Sequence, residues 1–164
     1  MTAKYEVIGS QTLTSSAASV TFSSIPGGYK DLVLVSDFLM TASGFVYGLY
    51  QFNGDTGANY SFVNAWGSGS VAQSSANTTN YGYLNGRFTA DNAERTISNV
   101  SISDYSATDK HKSTLARNNR AGAGTEMFAT RWANTSAITS ILVFASGANF
   151  AATSTFHLYQ LVSE

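Results

Sequence analysis

The sequence predicts an all-β protein, an antiparallel β-sandwich of jelly-roll-like architecture with about ten strands. Three observations carry this. Apolar residues recur with period two, turn residues punctuate the chain about every 8 to 15 residues, and no stretch holds helical periodicity for three turns. An up-and-down barrel ranks second. No internal repeat is visible, which argues against solenoids and propellers. A length of 164 residues fits one domain, residues 1–164, and can bury a sizeable core without metal or disulfide.

Each element has its own signal. Tyr5 to Ile8 reads as a first strand, with an arm over residues 1–11 as the second reading. Val20 and Phe22 alternate with Ser19, Thr21 and Ser23, a strand with one wet face, and Pro26-Gly27-Gly28 ends it. Asp31 to Met40 is nearly continuous in apolar residues, the pattern of a strand buried on both faces. Val46 to Phe52 leads into Asn53-Gly54-Asp55, where Asn and Gly tolerate the positive φ of a type I′ hairpin turn. Tyr60 to Trp66 is the next strand, and the uncharged stretch Ser68 to Asn80 reads as a long loop. Short strands are expected at Tyr81–Leu84 and Arg87–Thr89. In Arg95 to Tyr105 the apolar parity slips between Ile97 and Val100, which predicts a bulge. Lys112–Arg117, Glu126–Ala133, Ile138–Ala145 and Ser154–Val162 complete the set.

Charged residues make up 12% of the chain, about half the usual fraction, while Ser and Thr supply about a quarter. Hydroxyls and amides must therefore cover the outside, and low charge favours association. Disorder is excluded, because 43% of residues are hydrophobic and 13% aromatic. Nine basic residues against ten acidic ones give no electrostatic case for nucleic acid. No apolar run reaches the ~18 residues of a membrane helix, and the N-terminus lacks a secretory pattern. Cysteine is absent, which removes disulfides, thiolate nucleophiles and sulfur-based zinc sites.

Chemistry-bearing motifs are sparse, and the sequence reads as no enzyme and no cofactor. His111 and His157 have no catalytic context, and His157 faces away from Phe156 and Leu158 as a strand histidine. No pair of carboxylates stands out for glycoside hydrolysis. The loop Asn53 to Asn59 has oxygens at alternate positions but only one carboxylate, so an Asx-turn is favoured over calcium. Lys110, His111, Lys112, Arg117 and Arg120 form a basic cluster that could dock an acidic surface, or could guard a strand edge. Tyr60, Trp66, Tyr81 and Tyr83, with amides between them, are candidates for stacking on sugars. Four Asn-x-Ser/Thr sequons, at Asn59, Asn77, Asn99 and Asn134, are what so Asn- and Ser-rich a chain contains by chance.

Several ordered stretches resemble small β-rich virion proteins of tailed bacteriophages. They are Ile8-Gly9-Ser10-Gln11-Thr12-Leu13, Ser19 to Pro26, Tyr29 to Leu34, Gln51 to Tyr60, Trp132 to Ile141 and Ser154 to Tyr159. Residues 67–120 carry none of the resemblance. The resemblance implies a non-enzymatic capsid decoration (cement) protein, a homotrimer on the outer capsid surface of the virion, made in the host cytoplasm. Its implied partner is the major capsid protein. The contact candidates are Tyr5 and the basic cluster. The alternative it implies is a tail-associated receptor- or glycan-binding module, with Tyr60, Trp66, Tyr81 and Tyr83 as contacts.

Overall fold

Period-two alternation becomes twelve strands in two antiparallel sheets that enclose one apolar core. The computed structural model describes residues 3–44, 46–88 and 90–163. The strands are β1 (Ala3–Thr12), β2 (Ser19–Phe22), β3 (Leu32–Phe38), β4 (Tyr47–Phe52), β5 (Tyr60–Gly67) and β6 (Ala72–Thr79). There follow β7 (Gly82–Tyr83), β8 (Thr96–Ser103), β9 (Lys112–Arg120), β10 (Gly124–Trp132), β11 (Ile141–Ser146) and β12 (Thr155–Ser163). The larger sheet runs β1-β12-β3-β8-β9-β10-β5-β6, and the smaller runs β2-β11-β4-β7. The fold is therefore a β-sandwich, eight strands against four.

Alternate residues decide which face is dry. Leu34, Val100, Ala116, Phe128 and Leu158 point inward from the larger sheet, and meet Val20, Phe22, Tyr50, Phe52, Ile141 and Val143 of the smaller. Tyr50 spans the layers, its hydroxyl 2.7 Å from Thr114 Oγ1, and burial pushes its pKa up to about 12. Gly82 lies so close to that ring that an added Cβ would sit 2.0 Å from it, so only glycine lets β7 pass.

Several sequence expectations change. β3 is buried on one face only: Leu32, Leu34, Ser36 and Phe38 are inside, while Val33 and Val35 are half-buried on the other side. Asn53 and Gly54 do take positive φ, at 53° and 68°, but the turn carries the chain from one sheet to the other and closes no hairpin. Asn53 Oδ1 accepts the Thr139 and Ser140 N–H groups there, which fixes the crossing. Ser68 to Asn80 is not a loop, because β6 forms inside it. β8 pairs with β3 and β9 in unbroken register, so Ile97 simply points outward, and the bulge lies between Val7 and Gly9 of β1. Residues 3–12 form a strand and not an arm. No strand forms at Arg87–Phe88, and Thr89 lies outside the described residues.

The turn after β4 is tied to the core through Asp55. Its carboxylate accepts the Trp132 indole N–H at 2.6 Å, the Asn59 amide and the Gly57 N–H. This is the Asx geometry, with the side-chain oxygens already occupied by donors. Trp132 is buried against Phe52 and Tyr60. Burial alone would raise the Asp55 pKa, but the three hydrogen bonds outweigh it and hold it below the usual carboxylate value. A lowered native pKa stabilises the fold above the unfolded value and ceases to do so as pH falls through the native one. Asp55→Asn is therefore expected to cost about 1–2 kcal/mol at pH 7 and progressively less below about pH 4. Urea unfolding followed by tryptophan fluorescence at pH 7 and pH 3 checks this. An equal cost at both pH values would contradict it.

Candidate functional site

Among the described residues, exposed apolar side chains gather on the outer face of the larger sheet. Among the described residues, seven large hydrophobic side chains are exposed, and six of them project from this face: Tyr5, Val7, Val63, Ile97, Leu115 and Met127. Register places them in rows across the strands. One row runs Val7, Tyr159, Val33, Ser101, Leu115, Ala129, Val63, Ala76. The next runs Ser10, His157, Val35, Asn99, Arg117, Met127, Ala65, Ser74. Grouped apolar exposure of this kind marks an interaction surface more than a random scatter does.

A cleft of about 310 Å³ opens on the β1 side of this face, lined by Tyr5, Val33, Val35, Asn99, Ser101, Arg117 and Tyr159. Tyr5 and Tyr159 form its wall, edge to face with ring centroids 6.5 Å apart. Tyr5 is 64% exposed, so one ring face is open. Arg117 and Asn99 are direct cross-strand partners, which sets guanidinium and carboxamide side by side on the floor. His157 sits in the same row as Asn99 and Arg117, with Nδ1 2.9 Å from Ser10 Oγ, the hydrogen-bonded strand histidine expected. A second depression, about 610 Å³, includes Ser61, Val63, Ala76, Thr78, Ser113, Ala129 and Arg131.

Charge on this face is one-sided. Arg117 and Arg131 project from it, and neither has an ion-pair partner among the described residues. Asp37 of β3 lies on the same face, and Arg95 holds it at 2.6 Å. On a chain with so few charges, two unopposed guanidiniums set the sign of the local potential. Among the described residues no three His, Asp or Glu side chains converge as a metal-holding group.

The basic cluster does not form a patch. β9 alternates, so Lys112 turns fully inward and its ammonium donates to the Lys110 and Thr135 carbonyls. Burial lowers its pKa. Arg120, at the far end of the strand, lies 3.4 Å from Asp91 and from Glu94. Lys110 pairs with Asp104 in the preceding loop, and His111 is exposed beside it. Only Arg117 reaches the face, where it joins Tyr5.

The four aromatic candidates are likewise separated. Tyr60 is fully buried and its hydroxyl accepts the Phe52 N–H, so it offers no ring to a ligand. Tyr83 stacks on Phe128 at 4.8 Å, and burial raises its pKa. Tyr81 packs edge-on against Tyr83 and Phe144. Trp66 stands apart, in a depression of about 460 Å³ with Ser68, Val71, Gln73, Arg87 and Phe88. The Arg87 guanidinium already lies 4.8 Å over its ring, and Phe88 packs edge-on. A sugar would have to displace both from their contacts with the indole.

Sequence reasoning missed Glu126, which builds that corner. Its buried carboxylate accepts the Gly86 and Arg87 N–H groups and the Asn64 amide, all at 2.9–3.0 Å. Ten acids without distinctive spacing gave no cue. Tyr159, Asn99 and Met127 were also missed. The cue that existed was Ile97, whose broken parity marked an apolar side chain on the wet face.

No family model matches the chain, and no curated protein matches it. Solved structures do. The chain is similar to the marine PL-14 alginate lyase from Aplysia kurodai, at 13% identity over 85% of this chain and 72% of that one, TM-score 0.41. It is also similar to the alginate lyase Aly36B, at 13% identity over 93% and 77%, TM-score 0.39. A double mutant of Aly36B in complex with an alginate trisaccharide matches at 11% identity over 94% and 80%, TM-score 0.37. These neighbours are enzymes and not phage virion proteins. They overturn the expectation of a capsid decoration or tail-associated phage protein, and with it the expectation that the chain is no enzyme. At this distance the likeness concerns the fold and gives this chain neither their substrate nor their reaction.

Glu126→Gln keeps the size of the side chain but turns an NH₂ group toward N–H donors. It is expected to cost about 3 kcal/mol and to release Arg87 from Trp66. In a Trp132→Phe background, Trp66 fluorescence should then become more accessible to a soluble quencher. Unchanged stability and unchanged quenching would show that Glu126 does not hold this loop.

Proposed function

We propose that the outer face of the eight-stranded sheet binds an acidic polysaccharide, and that the Tyr5–Arg117 cleft is its primary subsite. The observation that carries this is the content of that cleft: two tyrosine rings beside a carboxamide and a guanidinium that has no ion-pair partner among the described residues. Sugars present apolar ring faces and polar rims, and each part of the cleft suits one of these. Tyr5, with Tyr159 behind it, offers a surface for the apolar face of a pyranose. Asn99 and Ser101 can donate to and accept from hydroxyls. Arg117 can grip a carboxylate through two parallel N–H donors.

The rest of the face supports a polymer over a single sugar. Rows of Val, Leu, Met and Ala continue from the cleft toward β6, and Arg131 offers a second cationic contact. Arg131 and Arg117 stand opposite Ser113 and Met127, four residues apart along the sheet, roughly 14 Å by strand rise. That spacing suits an extended chain with repeated carboxylates. Long-range attraction to such a chain would speed encounter at low salt.

Binding to a soluble polyuronate, measured by calorimetry or affinity electrophoresis, tests the reading. Arg117→Ala should weaken it about 10- to 100-fold, the worth of a charge-assisted bidentate contact. Tyr5→Ala should weaken it about 3- to 10-fold, and Trp66→Ala should leave it unchanged. Affinity should fall with added salt, and an uncharged glucan should not compete. Loss of binding with Trp66→Ala and not with Arg117→Ala would overturn the assignment.

A further inference from the structure

β6 lies at one edge of the larger sheet, and no described strand covers it. Seven of its eight residues are exposed and the eighth is half-buried, so neither face packs on the core. Its one strand partner is β5, over the full length from Tyr60↔Thr79 to Gly67↔Ala72. An isolated ladder on a strand with two wet faces recovers little of the entropy lost in ordering it. Edge strands that must stay single usually carry charges, proline or a bulge. β1, at the opposite edge, has such devices: Lys4, Glu6 and the bulge between Val7 and Gly9. β6 has none, and the whole stretch Ser68 to Asn80 carries no charge.

We infer that β6 pairs antiparallel with β6 of a second copy of this chain, joining the two larger sheets edge to edge. A copy of the same strand fits because it meets no like charge and supplies the same unpaired backbone groups about a two-fold axis. Backbone direction shows which groups are available. The Ser75 N–H turns toward β5, donating to Asn64 Oδ1 at 3.1 Å. By alternation the N–H and C=O groups of Ser74, Ala76 and Thr78 turn away from β5. Thr78 N–H has only its neighbour's Asn77 Oδ1 as an acceptor, at 2.8 Å. Pairing stops at two, because the guarded β1 edge does not extend the sheet further. Val63, Ala65 and Ala76 then continue across the junction, and the outer face doubles. This inference does not depend on the saccharide reading.

Sedimentation equilibrium of the full chain tests it. The wild type should sediment at twice the 17.4 kDa chain mass. Ala76→Pro removes an N–H that β5 does not use, and Ser74→Lys with Ala76→Lys brings like charges together. Both should give monomers with unchanged circular dichroism, while Val7→Lys on β1 should remain a dimer. Amides of Ser74, Ala76 and Thr78 should be protected from hydrogen exchange in the dimer and exposed in the lysine variant. Should the proline variant misfold, the lysine pair still decides the matter. A monomeric or trimeric wild type, or a dimer that survives the lysine pair, would overturn the inference.

Discussion

The carboxylate of Glu126 settles a mismatch built into this architecture, eight strands facing four. The smaller sheet cannot cover the inner face of the larger, and the uncovered part is polar: Ser36, Ser98, Asn118 and Glu126 are all buried there. Residues Leu84 to Phe88 close the gap, and Glu126 holds them by two backbone N–H groups. Asn85 continues the seal, accepting the Gly48 N–H and donating to the Phe88 carbonyl, while Ser98 donates to the Leu84 carbonyl. Gly86 has no room for a side chain, since an added Cβ would lie 2.4 Å from Phe128. Without that carboxylate, backbone donors would be stranded against an apolar ring, which costs more than a solvated loop.

Closing the inner side this way leaves the outer face free. It is wide, spanning eight strands, and it is neither core nor ordinary surface. Its apolar side chains are few, and close enough to act together. Scarcity of charge elsewhere matters as much as the two arginines. With Asp37 engaged by Arg95 and Glu126 turned inward, Arg117 and Arg131 have no ion-pair partner among the described residues. Binding energy on such a face comes from ring contact and desolvated hydrogen bonds, and the cationic pair selects the class of ligand.

The fold class was legible because period-two alternation survives in nearly every strand, from Val20–Phe22 to Phe156–Leu158. What failed failed for physical reasons. β6 has no alternation to read, because both of its faces are wet and a polar strand looks like a loop. The expected bulge in β8 came from assuming that Ile97 must be buried. The structure exposes it, and the misfit was a trace of the apolar outer face. The basic cluster looked like a patch only in one dimension, because a strand turns neighbouring side chains to opposite faces and spreads the rest along its length. Tyr5 and Arg117 were both named from the sequence, as contacts to a capsid and not to a sugar. Their meeting in one cleft depends on a strand order, β1-β12-β3-β8-β9, that no local pattern encodes.

The account stands or falls on the outer face being where ligand binds. Titration of ¹⁵N-labelled protein with a polyuronate oligosaccharide, followed by amide shifts, tests this most directly. Shifts should concentrate at Tyr5, Asn99, Ser101, Arg117 and Tyr159 and extend along their rows, with the Trp66–Arg87 corner silent. Shifts confined to that corner, or none at saturating ligand, would contradict the account.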